Sequence, residues 1–132
     1  MNYELHNTYM SLIFSNFIRE KRVSLHGAGD RRFSQRQVAL RIGVQPTYLS
    51  QVEQGKTAPP SEEKIVALAH ELGEDPDFLL ALAGKVASDL QHIIRERPVI
   101  YGRLIRTLGD EPDEALHYVI DQAEQGYLPG RR

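Results

Sequence analysis

Apolar residues recur along this chain at intervals of three and four, the period of an amphipathic helix, and no stretch alternates in the period of two that marks a strand. The pattern predicts a first helix over Ser11–Val23, with Leu12, Phe14, Phe17 and Ile18 on its apolar side. Residues 25–32 (LHGAGDRR) hold two glycines and no apolar period, and read as a loop. Ser34 then has the character of an N-cap. Gln37 stands three residues on to complete a capping box, and Phe33 can staple onto Val38. This second helix runs to Ile42 and stops at Gly43, a residue that takes the left-handed conformation cheaply. A third start follows at once: Gln45 at the cap, Pro46 at the first helical position, and Val44 with Leu49 as a staple, the helix closing at Gly55. Ser61 caps a fourth helix through Leu72, closed by Gly73. Asp75 and Pro76 open a fifth, running to Ala83 and closed by Gly84.

Residues 11–84 thus predict five short helices, with Phe17, Ile18, Val38, Ala39, Leu49, Val52, Ile65, Leu68, Leu72, Phe78 and Leu82 as core. Three further helical patterns follow. Ser88 with Gln91 opens one with Leu90, Ile93 and Ile94 on its apolar face. Pro98 opens the next, with Ile100, Leu104, Ile105 and Leu108. Pro112 opens the last, with Leu116, Val119, Ile120 and Ala123. Residues 1–10 and 126–132 read as flexible ends. The fold class is all-α: a five-helix domain over 11–84 and a short helical segment over 85–125.

Two helices joined by a glycine-containing turn of three to four residues, as between Ile42 and Pro46, form a helix-turn-helix. Charge sharpens this reading. The chain's net charge is only −2, but the two halves differ. Residues 1–57 carry eight Lys/Arg against four acids, and residues 58–132 eight against fourteen. The front half suits a polyanion; the back half suits solvent or a protein partner.

Other chemistries find little support. There is no cysteine, so no disulfide or thiolate metal site, which fits a reducing cytoplasm. The five histidines (His6, His26, His70, His92, His117) are scattered without metal-ligand spacing. No glycine-rich phosphate loop, nucleophile elbow or carboxylate pair points to an enzyme, and no cofactor is implied. No apolar run approaches the ~18 residues of a membrane span, and the start lacks the pattern of a signal peptide.

The segment FSQRQVALRIGVQPTYLSQVEQGKTAPPSEEKIVALAHELG resembles the Xre family, the phage-repressor-like (Cro/repressor-type) helix-turn-helix regulators. The resemblance covers about residues 12–84 and rests on several spaced features. Ala39 is small where two helices cross, and Gly43 makes the turn. Leu49 and Val52 anchor the second helix, Glu53 and Gly55 close it, and Pro60-Ser61, Leu68-Ala69 and Leu72-Gly73 continue the pattern. Two departures stand out: the connection from Arg22 to Phe33 is longer than usual, and Gln45 occupies a cap where the family favours Ser or Thr.

Leu49 and Val52 facing inward leaves Gln45, Pro46, Thr47, Ser50 and Gln51 outward, and the resemblance implies that these read bases in the major groove. Gln51 suits adenine, and the methyl of Thr47 suits that of thymine. Phosphate contacts are expected from Gln35 and Arg36, in the first turn of the preceding helix, and from Tyr48 and Lys56 beside the recognition helix. The resemblance favours Gln35 over Arg36. Arg31 and Arg32 are candidates for a further backbone or minor-groove contact, or are simply solvated. The resemblance also implies a structural ion pair between Arg22 and Glu53. The function expected is a cytoplasmic repressor that binds double-stranded operator DNA as a homodimer through residues 85–125. The alternatives weighed are an antitoxin that also controls its own operon, its C-terminal helices holding a toxin, and a bridging factor that uses the domain to hold proteins.

Overall fold

The computed structural model describes residues 3–27 and 29–130, with nothing described for the side chains of residues 3–8 and 10. Expectations about residues 1–2, 28 and 131–132, and about the His6 side chain, lie outside these. Among the described residues the chain is all-helical, with no strand. In chain order it has α1 (Tyr3–Gly27), a 3-10 turn (Arg31–Phe33), α2 (Gln35–Ile42), α3 (Pro46–Glu53), α4 (Glu62–Leu72) and α5 (Pro76–Leu82). There follow α6 (Ser88–Glu96), α7 (Pro98–Leu108) and α8 (Asp113–Glu124). The chain divides into two compact units between Ser88 and Asp89.

In the first unit, α1 begins at Tyr3 and extends to Gly27, four residues past the predicted end, so the first three residues of the expected loop are helical. The reason lies in its buried stripe. Phe14, Ile18 and Arg22 are buried at spacings of four, and Leu25 follows three residues later, packed against the core. An arginine on that stripe hides its continuation from a purely apolar reading. The true break is short, and Asp30 caps the 3-10 turn by accepting from the Arg32 amide.

Ser34 caps α2, its side chain accepting from the Gln37 amide at 3.2 Å. The reciprocal half of the expected box is not made. The Ser34 N–H instead donates to the Arg31 carbonyl, because the preceding 3-10 turn supplies an acceptor first. Gly43 ends α2 with φ of 78°, in the left-handed region open to glycine. Lys64 on α4 donates to the Ile42 carbonyl at 3.0 Å and satisfies an end group of α2. Gly55, after α3, has φ of 71°, and a Cβ there would stand 2.9 Å from the Leu12 side chain. The left-handed backbone calls for glycine, whereas the Leu12 methyl, at the end of a flexible and exposed side chain, can move aside.

The core is formed by Phe14 and Ile18 of α1, Val38, Ala39 and Ile42 of α2, Leu49 and Val52 of α3, Ile65, Leu68, Ala69 and Leu72 of α4, and Leu79 and Leu80 of α5. This corrects the predicted core at α5, where Phe78 is 45% exposed and Leu82 only partly buried. Asp75 accepts from the amides of Asp77 and Phe78, which fixes the phase of this seven-residue helix and turns Leu79 and Leu80 inward. Phe78 lies over the half-buried Phe17, ring centroids 5.4 Å apart and planes at 80°, an edge-to-face pair at the margin of the core. Beyond α5, Lys85 donates to the Pro60 carbonyl, and both the amide and hydroxyl of Ser88 donate to the Glu62 carboxylate.

The second unit is different in kind. Its helices α6, α7 and α8 contain no buried residue, although each has a distinct apolar side. Pro112, expected to open the last helix, is its N-cap.

Candidate nucleic-acid interface

The geometry of α3 begins with what pins its inner face. Leu49 and Val52 are fully buried, and beside them Glu53, a charged side chain, is only 3% exposed. Burying a carboxylate is costly unless it is paired and hydrogen-bonded. Here α1 supplies the partner. Arg22 Nε donates to Glu53 Oε2 at 2.7 Å and Arg22 Nη2 to Oε1 at 2.8 Å, a two-point fork. The third guanidinium nitrogen of Arg22 donates to the Phe33 carbonyl at 3.2 Å, and Gln35 Nε2 donates to Glu53 Oε1 at 3.2 Å. One arginine therefore joins α1, the turn before α2 and the end of α3. Among the described residues no buried side-chain polar atom lacks a partner.

The outer face of α3 is arranged oppositely. Gln45, Thr47 and Gln51 are exposed, while Pro46 and Ser50 are half-buried. Gln45 makes no capping bond, and Pro46 at the first helical position has no N–H to satisfy. Ser50 is already engaged, accepting from Gln54 Nε2 at 2.8 Å. Between α2 and α3 lies an open depression lined by Arg36, Leu40, Val44, Gln45 and Pro46, with Leu40 70% exposed.

The residues expected near phosphate are placed unequally. Arg36 and Lys56 are exposed. The Tyr48 ring packs against the core, leaving it half-buried. Gln35 is half-buried, and its amide is turned toward Glu53; this bond was not foreseen, since it joins residues 18 apart in sequence. Of the two loop arginines, Arg31 is exposed and Arg32 is tied to Asp30 by an ion pair at 2.6 Å. The hydrogen bond from the Arg32 side chain, with another from its amide, lowers the Asp30 pKa to about 2 and raises that of Arg32. Arg41 beside them pairs with Glu71 at 2.6 Å and also donates to the Arg32 carbonyl, and both guanidinium groups lie about 6 Å from the Phe33 ring centre (5.9 and 6.0 Å). These contacts hold the connection from Asp30 to Phe33 against α2 and α4.

Among the described residues no group of His, Asp or Glu is placed to hold a metal ion, and no helix is long and apolar enough to cross a membrane.

Two short helices joined by a left-handed glycine turn, the second locked by its inner face and bare on its outer one, define a helix-turn-helix module. Comparison with known families agrees: residues 30–79 match the family model described as Helix-turn-helix, a DNA-binding family rather than an enzyme family. No curated protein and no solved structure matches the chain. The chain carries the DNA-binding domain of a transcription regulator.

Proposed function

We propose that this protein is a sequence-specific repressor of the phage-repressor-like, Xre type, acting in the cytoplasm on a pseudo-palindromic operator as a homodimer. The observation that carries this reading is the division of α3 into a buried, ion-paired inner face and an exposed outer face with unengaged Gln45, Thr47 and Gln51. A helix presented this way fits the major groove, where every base pair shows a distinct pattern of donors and acceptors. Gln51 pairs with an adenine, Thr47 packs its methyl on a thymine, and Gln45, Pro46 and Ser50 complete the reading surface. Phosphates flanking this contact are held by Lys56, Arg36, Gln35 and the Tyr48 hydroxyl, with the first amides of α2 pointing at one of them. A single such helix discriminates only a few base pairs, so two subunits joined through residues 85–125 are needed for useful specificity. Their half-sites lie about one helical turn, ~34 Å, apart.

Selection of bound sites from random DNA tests this: an inverted repeat should emerge. On that site, Gln51→Ala and Thr47→Ala should each cost ~1–3 kcal/mol at one or two base-pair positions and leave the others unchanged. Unchanged preference in both variants would show that α3 is not the reading helix.

A further inference from the structure

The second unit poses a physical problem that its own residues do not solve. Its three helices have 9, 11 and 12 residues, lengths that are marginal in water without tertiary packing. Yet none of their side chains is buried. On α7, Val99 is 83% exposed, Ile100 61%, Leu104 45% and Ile105 52%; on α8, Tyr118 is 65% and Ile120 48% exposed. So many exposed apolar side chains on so short a segment call for a cover.

The charges say what kind. Residues 97–108 carry three arginines and no acid, whereas residues 109–124 carry six acids and no Lys or Arg. Each sign borders an apolar groove. On α7, Ile100 and Leu104 line a groove together with Arg103 and Thr107. Where α7 meets α8, a second groove with Leu108, Pro112, Ala115 and Val119 shares its lining with Glu111 and Glu114. None of Arg103, Glu111 and Glu114 has an ion-pair partner within the chain among the described residues. One surface is apolar and basic, the other apolar and acidic, and both belong to the same chain.

We infer that the two surfaces are complementary halves of one two-fold interface. The Ile100/Leu104 face of α7 from one copy packs over the Leu108–Val119 groove of a second copy, placing Arg103 against Glu111 and Glu114 of that copy. A two-fold contact is reciprocal, so each subunit offers one such face and receives one. Opposite charges at the margin set partner and register while the apolar centre supplies the affinity. This inference rests on the homodimer reading above and assigns it a geometry.

Reciprocity permits a decisive charge-swap experiment on the full-length chain. By light scattering, Arg103→Glu and Glu114→Arg should each lower the dimer fraction, with dissociation constants raised at least tenfold. An equimolar mixture of the two variants should form more dimer than either variant alone, short of the level of the unaltered protein because Glu111 still faces the altered residue 103. In that heterodimer one contact is native and the other pairs the glutamate introduced at 103 with the arginine introduced at 114, which offsets the repulsion from Glu111 that the Arg103→Glu homodimer meets twice. Circular dichroism of the mixture, regaining any helix lost in the single variants, controls for misfolding. Variants that stay dimeric, or a mixture that does not re-form dimers, would overturn this interface while leaving a dimer formed elsewhere intact. A monomeric unaltered protein would overturn the dimer reading as well, and the operator selection would then stand by itself.

Discussion

Removing Arg22 should hurt this fold more than removing Arg22 and Glu53 together would suggest. Glu53 is buried at 3% exposure and depends on the two guanidinium bonds of 2.7 and 2.8 Å. In Arg22→Met its only remaining side-chain donor among the described residues is Gln35, at 3.2 Å. Breaking a buried pair by removing one partner costs about 3–5 kcal/mol, because a charge is stranded. In Glu53→Leu, Arg22 retains the Phe33 carbonyl, and its side chain is 11% exposed, so the cost falls near the lower end. Each single change should therefore cost about 3 kcal/mol; for a folding unit of this size that lowers Tm by roughly 12–24 °C. The double variant strands no charge, but the Phe33 carbonyl loses its arginine donor and the Gln35 amide its carboxylate acceptor. It should lose about 3 kcal/mol rather than about 6, a coupling energy near the upper end of what contacting residues show. Urea or thermal unfolding of the four proteins, followed by far-ultraviolet circular dichroism, measures the cycle. Additive losses would refute the reasoning, since they would mean that Glu53 and Arg22 are each satisfied without the other.

Two further outcomes follow from the same geometry. Lys56→Ala should weaken binding to all DNA sequences alike and make the dependence of log affinity on log salt shallower by about one unit, while Gln35→Ala, which removes no charge, should weaken binding with the slope nearly unchanged; a loss confined to one base position in either would contradict a phosphate role. The Asp30 carboxyl should titrate at about 2 rather than 3.8, and Arg32→Ala should return it toward the ordinary value. Because its folded-state value is depressed, the capping interaction is fully present above about pH 4 and is lost as pH falls through 2. Carbon-detected NMR titration of Asp30 reads this directly, and a midpoint near 3.8 in the unaltered protein would remove the interaction.

The helix ends were the most legible part of the sequence, because they are set by local chemistry. Ser34, Ser61 and Asp75 cap the helices they were expected to cap, and Gly43, Gly55 and Gly73 take the left-handed turns after α2, α3 and α4. These are properties of a residue and its neighbours within one turn. What local pattern did not reveal depends on distant partners. The end of α1 was misread because the buried stripe from Phe14 to Leu25 passes through an arginine whose burial is made possible by Glu53, 31 residues away. The core of α5 was misread because PDFLLAL holds four large apolar residues in seven, and any phase of so short a run looks plausible. Within the candidate interface, the inward turn of Leu49 and Val52 and the outward turn of Thr47 and Gln51 were readable from helical period alone. The bond from Gln35 to Glu53 was not, since nothing in either residue's neighbourhood announces it.

The separation of the two faces of α3 bears on how such a protein acquires new targets. Leu49, Val52 and Glu53 carry the structural duties of this helix, and Thr47, Gln51 and Gln45 carry none that the fold relies on. Substitutions at exposed, unengaged positions usually change stability by no more than about 0.5 kcal/mol. A lineage can therefore pass through one-residue changes at 45, 47 and 51, altering which sequence is bound without crossing an unfolded intermediate. Position 50 is the exception: its hydroxyl also holds Gln54, so change there is coupled to the end of the helix. Divergence of binding preference should be quick at three positions and constrained at the fourth, with the frame beneath them left alone.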